Sequence, residues 1–320
     1  MAATPVALVV GTHTWGLDDG ARVDSILDLM RKHKIGALDT ARIYGQGASE
    51  AVLGTKHLTP EFTVDTKAAT GINLGSGGRI LEFANESRDA LLPNKIRTYF
   101  LHGPDEATPI EQQMESIQAL YQQGLFTQFG LSNFSKEQVL ECYNYAKSKG
   151  YVLPTVYQSN YSIAARLNET LLFPTLRELG FSIQAYSPMA AGLLAKTPED
   201  IEQGKGSWDP DTIQGRIYRD LYYKPSYMKM LLEFGNLSGK SGVSRMALAY
   251  RWVRYHSALK RDLGDEMILG AASVAQLEES LEELEKGPLE NWVVERIDEL
   301  WDIVKEDAPQ DNIESARKFM

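Results

Sequence analysis

The chain has 320 residues, 43% hydrophobic and 24% charged, which supplies enough apolar side chains for a full globular core. A formal charge of −10 with no basic run argues against a nucleic-acid binder, which needs a clustered cationic surface for the phosphate backbone. The lone Cys142 excludes an intrachain disulfide, and the five histidines lack ligand spacing, so no metal site is expected.

Short β-rich runs alternate along the chain with longer amphipathic ones. The first, 6–11, has no basic region ahead of it and ends too early for a signal peptide. No other segment approaches the ~20 apolar residues of a membrane span, so a cytoplasmic enzyme without membrane contact is expected. Strands are predicted at 6–11, 36–41, 62–67, 97–102, 126–132, 155–160, 181–187 and 266–271. Helices are predicted between them at 21–33, 49–57, 79–92, 110–123, 136–149 and 169–179. Such alternation implies parallel pairing, because each crossover helix returns the chain to the same end of the sheet. Eight units predict an α/β fold closed into a (β/α)8 TIM barrel, a single domain over 1–320. The competing open, doubly wound sheet would need a GxGxxG after its first strand, and none is there.

Residues 190–225 are rich in Gly, Pro, Asp and Lys and show little periodicity; following the seventh strand, they read as a functional loop. Two acidic helices, 274–285 and 291–305, are broken by Gly287-Pro288, with their charge on solvated faces. The polar stretch 311–320 is expected to be a mobile tail.

In a barrel of parallel strands the C-terminal strand ends converge on one rim, where sites are built. Here those ends are polar: Asp39, Lys67, His102, Ser132 with Asn133, Gln158 with Asn160, and Tyr186. Each alone has a structural explanation as a cap or a solvated terminus. Together on a partly buried rim they need mutual charge compensation. Tyr44 lies five residues after Asp39, across the strand end. A phenol is a poor acid at neutral pH, with a pKa of about 10, but an adjacent ammonium stabilises its phenolate. Lys67 supplies the ammonium, Asp39 keeps it charged, and His102 can donate to a substrate carbonyl oxygen. No side chain here carries a hydride, so reduction requires a nicotinamide cofactor. Ser132, Asn133 and Gln158 suit its carboxamide, and Tyr186 offers a stacking face. An aldolase using Lys67 as a Schiff-base amine is the alternative, opposed by Asp39.

At these residues the chain resembles the aldo-keto reductase family. Asp39-Thr40-Ala41, Tyr44-Gly45, Lys67 and Leu101-His102-Gly103-Pro104-Asp105 are similar to the family's catalytic tetrad in order and spacing. Gly130-Leu131-Ser132-Asn133-Phe134 and Val156-Tyr157-Gln158 resemble its carboxamide-holding segments. Tyr186-Ser187-Pro188 with Gly192-Leu193-Leu194 resembles the stacking tyrosine and the backbone that meets the pyrophosphate. Ile268 through Ser273, with Gly270 and Gln276, resembles the segment gripping adenosine and its 2′-phosphate at a helix N-terminus. The stretch 172–177 and Gly287-Pro288-Leu289 look like the aflatoxin-aldehyde reductase branch and its fungal relatives. The resemblance implies NADPH in preference to NADH, reduction of aldehydes, dialdehydes or ketones in detoxification or secondary metabolism, and a homodimer. It departs at Ala272 and Ser280, where the branch carries serine and asparagine, and at Leu221, where an arginine would bind acidic substrates. His13 stands where the family has methionine; His13, Trp15, Tyr222 and Tyr223 are the expected substrate wall. Some members of the fold hold cofactor as regulatory subunits with slow turnover, which is the second functional alternative.

Overall fold

The computed structural model describes residues 4–73, 75–270 and 272–320. Eight strands form the barrel: β1 (Ala7–Gly11), β2 (Ala37–Asp39), β3 (Thr63–Ala68), β4 (Ile96–Leu101), β5 (Phe126–Ser132), β6 (Pro154–Asn160), β7 (Ser182–Tyr186) and β8 (Glu266–Gly270). They run in sequence order and the sheet closes where β1 pairs in parallel with β8, Val10 opposite Leu269. This is the (β/α)8 architecture expected from the alternation, with strand ends within a residue or two of their predicted places.

The outer ring begins with α1 (Gly20–Lys32), α2 (Ala48–Gly54), α3 (Ile80–Leu91), α4 (Ile110–Gln122) and α5 (Lys136–Lys149). The last is bounded by strong local signals. Ser135 and Gln138 form a reciprocal capping box at its start, and Gly150 takes the left-handed C-cap with φ of 66°. Where one helix was expected over 169–179, the chain makes α6 (Asn168–Leu171) and α7 (Phe173–Glu178). Pro174 cannot donate to the preceding turn and instead sits in the first turn of α7. Gly54 lets α2 lie directly on α3, since a Cβ there would fall 1.9 Å from the Ala90 carbonyl oxygen.

The loop after β7 is more ordered than its composition suggests and holds α8 (Pro198–Glu202) and α9 (Ile213–Tyr222). It leads into α10 (Pro225–Ser241) and α11 (Arg245–Tyr255), two helices the periodicity reading left unassigned. Beyond β8 come α12 (Val274–Glu285), α13 (Asn291–Val304) and α14 (Ile313–Phe319). The expectation of a mobile tail over 311–320 is corrected by α14. Arg317 donates from Nε to Gly71 O at 2.6 Å and from Nη2 to Pro104 O at 2.5 Å. Ser315 and Lys318 both bond Asp220 of α9. The polar residues of this segment are anchors to two rim loops and to α9. No helix among the described residues is long and apolar enough to cross a membrane.

Candidate active site

Lys67 near the end of β3 is fully buried, yet all three of its ammonium hydrogens have acceptors. Nζ donates to Asp39 Oδ1 at 2.7 Å, Asp39 Oδ2 at 2.8 Å and Thr40 O at 2.7 Å. Burial alone would lower its pKa, but Asp39, with Tyr44 and Asp65 behind it, outweighs burial and holds the lysine above its ordinary value. For Asp39 burial pushes upward, opposed by Lys67 and by a 2.8 Å bond from Gln158 Nε2.

Tyr44 stands on the turn after β2. The turn closes through Gly47, whose φ of 95° suits glycine and whose Cβ would strike the Arg42 guanidinium. The phenol ring lies edge-on between two imidazoles, its centroid 4.9 Å from that of His13 and 6.0 Å from that of His102. Lys67 Nζ is 5.2 Å from the same centroid. Burial raises the Tyr44 pKa and Lys67 pulls it back, with a net upward shift. The lowering expected from the lysine is therefore only the smaller, opposing effect. The phenol therefore stays protonated at neutral pH, with the ammonium beside it.

His102 follows β4, and its backbone is held on both sides. Its N–H donates to Thr70 Oγ1 at 3.1 Å, and its carbonyl accepts from Asn133 Nδ2 at 2.9 Å. Burial first, then Lys67 and His13, keeps its pKa well below the ordinary 6.5, so the ring is a neutral imidazole. Its Nδ1 is buried without a partner. His13 remains accessible from the cavity, although burial and Lys67 lower its pKa too.

His13, Asp39, Tyr44 and His102 line one end of a cavity of about 800 Å³, in the range of small-molecule and cofactor sites, with Lys67 buried behind them. Tyr186 donates to Asn133 Oδ1 at 2.6 Å, and Ser132 Oγ to the Gln158 carbonyl at 3.1 Å, so this wall is fixed by its own hydrogen bonds. Asn133, Ser187 and Ala191, all in the wall, have positive φ values of 63°, 54° and 56°. Backbone strain of this kind gathers at binding sites. From there the cavity runs past Pro188 and Gly192 to Gly270, Ala272 and Gln276 beside the start of α12. An elongated dinucleotide fits it: a polar, rigid amide wall beside the tetrad, a left-handed loop along the middle and a helix N-terminus at the far end.

Other predicted residues lie elsewhere. The Leu193 side chain is in the core, and Ser273 caps α12, accepting from the Gln276 N–H at 3.2 Å. Of the expected substrate wall, the cavity takes His13 and not Trp15, Tyr222 or Tyr223. Trp15, in the loop after β1, is buried. Tyr222 is buried against Tyr227 and accepts from Asn160 Nδ2 at 3.1 Å. Tyr223 is exposed under the Arg219 guanidinium, and Leu221 is buried. The wall is completed by residues the sequence reading passed over: Gln214 and Tyr218 from α9, and Asn312, Ile313 and Ala316 from the C-terminal segment. The spacing of Gln214 and Tyr218, one turn apart on an amphipathic helix, was a usable signal. Among the described residues the cavity wall holds no lysine or arginine, and its carboxylates are Asp39 and Glu279.

A closed parallel barrel that gathers a Tyr, Lys, Asp and His set at one rim is the arrangement these elements build. Residues 7–302 match the model of the aldo/keto reductase family, and the chain belongs to that family. It is 44% identical over 284 residues to the oxidoreductase sirO of Leptosphaeria maculans, covering 88% of this chain and 86% of that one. It is 32% identical over 334 residues to aflatoxin B1 aldehyde reductase member 2 of Rattus norvegicus, covering 94% and 86%. Over 313 residues it is 30% identical to the aldo-keto reductase pigE of Monascus ruber, covering 91% of each. Membership implies NAD(P)H-dependent reduction of small carbonyl compounds.

Proposed function

We propose that this protein is a cytoplasmic reductase that converts an aldehyde or ketone to the alcohol, with Tyr44 as general acid and with NADPH as the cofactor that its relatives' motif suggests. The observation that carries the reading is the buried Lys67–Asp39 pair beside a protonated Tyr44, with neutral His102 edge-on to the phenol at 6.0 Å. A bound nicotinamide supplies the hydride. As the carbonyl oxygen gains negative charge, the Tyr44 proton moves to it and Lys67 stabilises the phenolate left behind. His102, neutral over the working pH range, donates a hydrogen bond to the same oxygen and orients the carbonyl without competing as an acid. Asp39 does not touch substrate; it keeps Lys67 a cation. The same pairing disfavours a Schiff base, because a lysine whose three hydrogens are all held has no lone pair to offer. The relatives named as oxidoreductase and aldehyde reductase support aldehydes as the first substrates to try.

The test is oxidation of NADPH with 4-nitrobenzaldehyde, comparing wild type with Tyr44→Phe. Turnover above about 1 s⁻¹ that falls at least a hundredfold in the variant is expected. Equal rates would refute the proton-donor role. Binding of NADPH without turnover would favour the regulatory-subunit reading.

A further inference from the structure

We propose that Gln184 and the charged floor beneath it are positioning residues for the active site, because they dictate which way the Gln158 amide faces. This rests on the reading of the cavity as a dinucleotide site.

The floor lies inside the barrel at the N-terminal end of the strands. Arg97, near the start of β4, donates from Nε to Asp65 Oδ1 at 2.8 Å and from Nη2 to Asp65 Oδ2 at 2.5 Å. It also donates from Nη1 and Nη2 to the two oxygens of Glu266 at 2.9 and 2.8 Å. Both carboxylates can only accept. Gln184 stands above them, and Nε2 spends its two hydrogens downward, on Asp65 Oδ2 at 2.8 Å and Glu266 Oε2 at 2.7 Å. Its Oε1 is thereby turned upward, where it accepts from Gln158 Nε2 at 3.0 Å. The other hydrogen of Gln158 Nε2 goes to Asp39 Oδ1.

The direction of this chain is forced. Flipping Gln184 would set its oxygen against two carboxylates and its amide hydrogens against those of Gln158. Flipping Gln158 would set its oxygen against Asp39 and against Gln184 Oε1. With carboxylates at both ends, one arrangement satisfies every donor, and it leaves Gln158 with no free N–H and with Oε1 as its remaining polar atom in a residue that lines the cavity. The consequence is a single acceptor offered to the N–H of a carboxamide, and a fixed bond on the Asp39 oxygen that holds Lys67. Two amides, two acids and an arginine inside a barrel are costly to bury unless every one is paired, and an apolar filling would serve stability as well. Their satisfied, one-way order is what a merely packed interior would not need.

The test uses Gln184→Met, similar in size and unable to accept a hydrogen bond strongly. Dissociation constants of NADPH and NADH are measured by quenching of the protein's tryptophan fluorescence, alongside kcat and KM. The variant is expected to weaken the binding of whichever dinucleotide the wild type takes by about tenfold, the scale of one neutral hydrogen bond, with kcat changed less. In a Gln158→Met background the same change is expected to add less than about twofold, since Gln184 acts through Gln158. Should Gln184→Met fail to fold, Glu266→Gln at the half-buried floor relaxes the same constraint, because an amide can donate as well as accept; a two- to fivefold loss of about the same kind is expected there. Unchanged dissociation constants in a folded variant, or additive losses in the Gln158→Met background, would overturn the positioning role while leaving the reductase reading intact. A wild type that binds neither dinucleotide would overturn both.

Discussion

Replacing Lys67 with methionine removes the ammonium while nearly conserving volume, and separates what the cation does for catalysis from what it does for folding. Nζ lies 5.2 Å from the Tyr44 ring centroid; at an effective dielectric of ~20 a charge developing on the phenol interacts with it by roughly 3 kcal/mol. A loss of that size slows proton transfer by about a hundredfold. The Tyr44 pKa, already raised by burial, goes higher without the opposing lysine, so the variant's kcat should not recover at low or neutral pH. Stability falls as well, because Asp39 is left buried with Gln158 as its remaining side-chain donor; breaking such a pair costs about 3–5 kcal/mol. Adding Asp39→Asn should restore much of the melting temperature and none of the rate, since the orphaned charge is gone and the ammonium still missing. The assay is single-turnover reduction of 4-nitrobenzaldehyde, with dinucleotide affinity as the control for an intact cavity. A Lys67→Met enzyme within about threefold of wild type in kcat would refute the electrostatic role.

Three further outcomes follow from the same geometry. His102 has its pKa depressed well below 6.5, so in the window between its folded value and 6.5 the unfolded chain binds a proton that the native chain does not. Stability must then rise with pH through that window and be lost as pH falls below about 6.5, by up to ~1.4 kcal/mol per unit from this group. Melting curves from pH 7 to 5 should show a shallower slope for His102→Gln than for wild type; parallel slopes would contradict the shift. At the far end of the cavity Glu279 is the sole carboxylate among the described lining residues near α12. Glu279→Gln should tighten NADPH, with its 2′-phosphate, by about three- to tenfold while leaving NADH within about twofold, as read by titration. Equal changes for both would show that this carboxylate does not sense the 2′ position. Truncation at residue 310 removes Asn312, Ile313 and Ala316 from the cavity wall. KM for a bulky aromatic aldehyde should rise about fivefold or more with dinucleotide affinity little changed, and an unchanged KM would remove α14 from the substrate wall.

The barrel was legible because its signals are local. Apolar runs such as Phe126–Ser132 and the Ser135/Gln138 capping box each fix an element without reference to the rest of the chain. The clustering at the rim was legible for a related reason: in a parallel barrel the strand ends face one rim, so Asp39, Lys67 and His102 could be grouped from strand ends alone. Pockets depend instead on which face of an element turns inward. Trp15 and Tyr222 were read as cavity walls from their aromatic character, yet that character serves core packing equally well, and both are buried. The tail was misread because mean polarity is blind to specific partners; Arg317 finds two loop carbonyls, those of Gly71 and Pro104, that tie the helix down. Gln184 was overlooked in mid-strand, although a run of polar residues at inward positions of otherwise apolar strands, Asp65, Arg97, Gln184 and Glu266, was visible in the sequence.

The family match ends at residue 302, and α14 begins at Ile313. One wall of the chamber is thus contributed by a segment that lies outside the shared framework and is joined to it through side-chain anchors such as Arg317 and Ser315. A fold built this way can vary α14 while the side chains at the strand ends stay where they are. Substitutions at Asn312, Ile313 or Ala316 reshape the cavity without touching a strand end, so the chamber's form and the barrel's integrity are set by separate stretches of chain.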